Sequence, residues 1–99
     1  MLHIVNKSPF TAGALQSCLR IAKAGSTILM IEDGIYGALD GTAVSGQIRE
    51  ALGDITVCAL SHDLEARGVN GKVLDGITLV DYDGFVELVT ANDGVQSWL

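Results

Sequence analysis

Two cysteines, two histidines and a scatter of carboxylates are the residues of this 99-residue chain whose types could do chemistry. Cys18 could serve as a thiol nucleophile or sulfur carrier, which needs a thiolate stabilised by a cation or a helix N-terminus. The spacing of Leu15, Cys18, Leu19 and Ala22 instead lays it in the apolar stripe of a helix, where cysteine acts as a small hydrophobe. The start of that helix lies two or more turns upstream, beyond a dipole effect that fades within the first turn. Arg20 points elsewhere on the wheel, so activation would have to come from tertiary or subunit contacts. Cys58 sits mid-run in Thr56–Leu60, without a CxxC partner or a local His base, and reads as core.

The acids fall at the ends of apolar runs: Glu32 and Asp33, then Asp63, then Asp81 and Asp83. In an open parallel sheet, the carboxyl ends of the strands are where ligands bind, and carboxylates there could hold Mg²⁺. Each acid also falls where a helix begins, so capping is the preferred reading and no metal site is assigned. His3 and His62 have no companions at metal-ligand or triad spacing, and surface or satisfied polar roles are expected. The two cysteines match no zinc spacing. Neither GxGxxG nor GxxxxGK[ST] occurs, so nucleotide binding is unsupported and no cofactor is expected.

The elements that must position these residues alternate. Leu2–Val5 reads as a strand, and Ser8-Pro9 or Thr11 opens a helix to about Ala24 with Gly25 as its stop. Thr27–Ile31 is a second strand. Asp33 can cap a short helix through Leu39, and Val44–Leu52 is helical up to Gly53. Ile55–Leu60 is a third strand, with Ser61 as cap for a helix near Asp63–Arg67 and Gly68 as its stop. Ile77–Val80 is a fourth strand, and Asp81 or Asp83 caps a helix to about Ala91. The tail Val95–Leu99 adds a short strand or packs as a cover, with Trp98 packed against the domain or a neighbour.

The runs are continuous and β-branched, as in strands covered on both faces. Strand and helix in alternation predict a three-layer α/β fold, a mostly parallel sheet with right-handed crossovers and helices on both faces. Residues 1–99 form a single domain, since a second core would need roughly 50 more residues.

Composition narrows the function classes. The chain is 48% hydrophobic and only 18% charged, with mean hydropathy +0.39. So little charge on so small a domain leaves apolar surface uncovered, and permanent partners are expected. The longest apolar run, Ile28–Ile31, is far short of the ~20 residues of a membrane span. The N-terminal residues lack the pattern of a signal peptide, so the expectation is a cytoplasmic protein with no membrane partner. Residues 1–31 hold Lys7, Arg20 and Lys23 and no acid, whereas residues 32–99 hold three basic residues against all 12 acids, for a net charge of −6. That balance disfavours direct nucleic-acid binding. A basic first helix beside an acidic remainder could steer a partner subunit.

Four segments carry a resemblance: Met1-Leu2-His3 with Ser8-Pro9; Glu32-Asp33-Gly34-Ile35-Tyr36-Gly37-Ala38-Leu39; Asp63-Leu64-Glu65-Ala66-Arg67-Gly68; and Val80-Asp81-Tyr82-Asp83-Gly84-Phe85-Val86. In this order and spacing the chain resembles the DsrH/TusB family from Met1 to the Gln96-Ser97-Trp98-Leu99 ending. The resemblance implies a DsrE/DsrF-like, flavodoxin-like fold and a place in a cytoplasmic sulfur-relay complex. It implies a heterohexamer with DsrE/TusD-like and DsrF/TusC-like subunits, passing persulfide sulfur to a DsrC/TusE-like acceptor.

In the TusB branch the sulfur ends at the 2-thio position of a tRNA wobble uridine. In the DsrH branch the relay serves oxidation of reduced or stored sulfur. The principal carrier cysteine of the family belongs to the DsrE/TusD subunit, which makes this chain mainly structural. A cysteine within Leu15-Gln16-Ser17-Cys18-Leu19 is similar to DsrH proteins of sulfur oxidisers, which leans the reading to that branch and makes Cys18 a candidate auxiliary sulfur carrier. The competing class is a purely structural interaction subunit. A stand-alone nucleotide- or metal-binding flavodoxin-like domain is more distant, because its phosphate loop is missing.

Overall fold

In the computed structural model, which describes residues 1–98, five short strands build one sheet: β1 (Leu2–Val5), β2 (Thr27–Met30), β3 (Thr56–Leu60), β4 (Thr78–Val80) and β5 (Val95–Trp98). Four α-helices connect them: α1 (Ala14–Ile21), α2 (Ser45–Ala51), α3 (Ser61–Ala66) and α4 (Tyr82–Ala91). Two 3-10 helices, Glu32–Ala38 and Asn70–Lys72, complete the chain; the second was not expected from sequence. The strand order is β4-β3-β2-β1-β5 and every pairing is parallel.

That order decides which face each helix covers. From β1 to β4 the chain steps one strand at a time in one direction, so right-handed crossovers put α1, α2 and α3 on one face. The step from β4 to β5 returns across the sheet to its far edge, which puts α4 on the opposite face. Alternate strand residues then feed two cores. Val5, Ile28, Met30, Val57 and Ala59 pack with Leu15 and Cys18 of α1, Ile48 of α2 and Leu64 of α3. Leu2, Leu29 and Cys58 pack on the other side with Phe85 and Leu88 of α4.

The helix starts depart from the capping expected of them. Ser8 does not open α1. Its carbonyl accepts from the Thr11 and Ala12 amides at 3.3 and 3.1 Å and its Oγ from Phe10 at 3.2 Å, which coils Ser8–Ala12 into a turn. The helix begins only at Ala14 and ends at Ile21, because Ala22 is already extended and Gly25, at φ +88°, turns the chain into β2. Asp33 and Ser61 accept no capping bond: the 3-10 helix and α3 start from the ends of the preceding strands without a side-chain cap. Asp81 does cap α4, accepting from the Gly84 amide at 2.8 Å. The tail is a strand as far as Trp98, which packs against the larger core; Leu99 lies outside the described residues.

Candidate functional site

Cys18 is fully buried in the larger core, between α1 and the sheet. Burial alone pushes its thiol up to about 11, with no cation beside it to oppose the shift. At neutral pH it is therefore a protonated thiol, and attack on sulfur needs the thiolate. Cys58 lies under α4 on the other sheet face, its thiol also raised by burial. Both cysteines are free.

The carboxyl end of the sheet gathers the acids differently from a metal site. Asp63, in the first turn of α3, accepts at Oδ2 from the backbone amide of Glu32 at 2.6 Å, tying the end of β3 to the end of β2. Glu32 sits at φ +50°, a left-handed conformation that costs an L residue about 1–2 kcal/mol. The next glycine relieves a tighter constraint: Gly34 lies directly against the Val5 carbonyl, where a Cβ has no room. Arg67, one turn beyond Asp63, donates from Nε to Asp33 Oδ1 at 3.0 Å and from a terminal nitrogen to the Asp63 carbonyl at 3.3 Å. This guanidinium pairs with Asp33 at 3.0 Å and with Asp63 at 3.8 Å, two of the five acids weighed as Mg²⁺ ligands. Among the described residues no three metal-ligating side chains come together. Asp83 sits in the first turn of α4, where its charge suits the dipole.

Sequence reasoning missed Arg67 as the centre of this network, and also Asn6, whose Oδ1 is buried without a partner just after β1. The signal for Arg67 was its i+4 spacing from Asp63. His62 is exposed and its ring stacks on Tyr82 at a centroid distance of 4.5 Å. From that pair an apolar stripe, Tyr82, Val86 and Val89, runs along the outer side of α4. Spaced i, i+4 and i+7, these exposed residues flank Phe85, so the apolar surface of α4 extends beyond the part that packs on the sheet with Phe85 and Leu88. His3 is the opposite case: only 4% exposed, it accepts at Nδ1 from Trp98 Nε1 at 3.1 Å.

Residues 7–95 match the family described as DsrH like protein. Curated TusB proteins of Escherichia coli K12 and Shigella flexneri are 35% identical over 98 residues, which cover 99% of this chain and all of theirs. The fold is shared more widely. The E. coli ychN protein superposes with a TM-score of 0.85 at 15% identity, covering 97% of both chains. A protein of unknown function from Methanobacterium thermoautotrophicum reaches 0.76 at 21% identity, covering 97% of this chain and 95% of its own.

Proposed function

Because the chain belongs to the DsrH/TusB family, we propose that it is a subunit of a cytoplasmic sulfur-relay complex whose contribution is chiefly the surface it offers. The full-length family match carries this reading. The partners are DsrE/TusD-like and DsrF/TusC-like subunits in a heterohexamer, with a DsrC/TusE-like protein as acceptor. The uncovered stripe Tyr82, Val86 and Val89, with Phe10, Ile21 and Leu79 also exposed, supports a subunit that completes its apolar surface against others. The TusB name of the curated relatives favours the branch that delivers sulfur to the 2-thio position of a tRNA wobble uridine. Cys18 is what favours the second reading, oxidation of reduced sulfur.

The chemistry of the relay is thiolate attack on the outer sulfur of a persulfide, forming a new persulfide and releasing the donor thiolate. The burial of Cys18 supports assigning this step to a partner subunit. Carriage by Cys18 requires that α1 lift from the sheet on assembly or on docking of the acceptor.

Co-expression with the two partner types tests the assembly, with a discrete hexamer as the expected product. Mass spectrometry of that complex after exposure to a persulfide donor tests the cysteine. A single-sulfur increment on a partner with Cys18 unmodified fits a scaffold. An increment on Cys18 that the acceptor removes makes this chain a carrier. A monomer indifferent to both partners would sink the assembly reading.

A further inference from the structure

At the amino end of the sheet, opposite the acidic pole, a cavity of about 280 Å³ opens between β1, β5 and the end of α1, lined by Met1, His3, Ile21, Lys23, Ser26 and Gln96. Two of its polar side chains are more than nine-tenths buried: His3 at 4% and Ser26 at 5% exposure. Buried polar groups in folded proteins are almost always paired. Here Trp98 occupies Nδ1 of His3, which places the proton of the neutral ring on Nε2. Neither that Nε2 nor Ser26 Oγ has a hydrogen-bond partner among the described residues, and both residues line the cavity.

We infer that this cavity is a binding site for a small organic monoanion, a short-chain carboxylate. The lining supplies donors from His3 Nε2–H, Ser26 Oγ–H and the Gln96 amide, and positive charge from Lys23 and the Met1 α-amino group, with no acid among its six residues. It lies in the basic part of the chain, where residues 1–31 carry no carboxylate. A carboxylate takes two to four such donors, and charge-assisted bonds of this kind are the stronger ones. Met1 and Ile21 give the other wall an apolar surface suited to a few methylenes. The volume falls just below the ~300 Å³ at which pockets for drug-sized ligands begin, so the occupant is small.

Calorimetric titration of the full chain with butyrate, butyramide and inorganic phosphate tests the site, with amide and imidazole NMR shifts locating any binding. Butyrate is expected to saturate and to shift His3, Ser26 and Gln96, while butyramide, equal in size but uncharged, does not. Lys23→Gln, at an exposed position, should weaken butyrate about tenfold with the fold intact. Gln96→Ala gives an independent loss from β5. Three results would overturn the assignment: shifts that rise linearly without saturation, equal binding of butyramide, or unchanged affinity in both variants. Saturation by phosphate alone would do the same.

Discussion

The indole N–H of Trp98 donates to Nδ1 of His3 at 3.1 Å, so the last described residue of the chain is fastened to the first strand through a buried, neutral imidazole. Burial lowers the pKa of His3 below its ordinary 6.5. The unfolded chain therefore binds a proton that the native chain refuses between those two values. Stability is complete above about pH 6.5, falls as the pH drops through that window, and levels off below the native value. Urea midpoints between pH 8 and pH 5 check this, and His3→Gln should flatten the profile. A stability that rises on acidification would contradict the buried neutral ring.

Gly34 and Gly46 should respond in opposite ways to alanine. At Gly34 the added methyl meets the backbone of Val5, which cannot move aside, and a loss of roughly 3 kcal/mol is expected. At Gly46, within α2, nothing lies within 4 Å, and alanine should gain about 0.5 kcal/mol from helix propensity. Denaturant unfolding of the two variants measures both. Equal effects would mean that the 3-10 helix approaches β1 less closely than described.

Cys18 should resist alkylation. With its thiol near 11 and no exposed surface, iodoacetamide uptake at pH 8 should be far slower than for a free thiol and should accelerate with urea. Cys18→Ser should cost roughly 1–3 kcal/mol, by placing an unpaired hydroxyl in the core. Labelling at the free-thiol rate in buffer would show that α1 opens readily.

Val86→Asp separates fold from assembly. Val86 is 61% exposed on the outer side of α4, so the substitution should change the stability of the isolated chain by no more than about 0.5 kcal/mol. Placed in an apolar interface, the same charge should abolish co-purification with partner subunits. A complex that forms undisturbed would assign the stripe on α4 to open surface.

The sheet was legible because Ile28–Ile31 and Val57–Leu60 are continuous apolar runs, and Cys18 was placed in the core by its i, i+3, i+4, i+7 companions alone. Asp81 reads correctly as a cap because nothing competes for it. Asp33 and Asp63 do not, since their partners, Arg67 and the Glu32 amide, lie about thirty residues away in sequence and meet them only in the folded sheet. The inner face of α4 is hidden for a different reason. With Tyr82, Phe85, Val86 and Val89 at i, i+3, i+4 and i+7, periodicity offers one wide stripe and no means of telling its buried edge from its exposed one. His3 escaped notice as a cavity residue because Gln96 and Trp98 reach it only when β5 pairs with β1.

That pairing joins Leu2 to Val95 and is the only ladder of β5 among the described residues. Closing so long a loop cannot be an early event in folding, because its entropy must be met before the contacts it brings can repay it. Until β5 docks, β1 presents an open edge, with Leu2 and Ile4 unshielded for strand addition by another chain. The same strand is the natural first to detach in the native state. Its departure takes Trp98 from the larger core and Gln96 from the cavity in a single opening. Hydrogen exchange should therefore find the β5 amides unprotected well before those of β2 and β3.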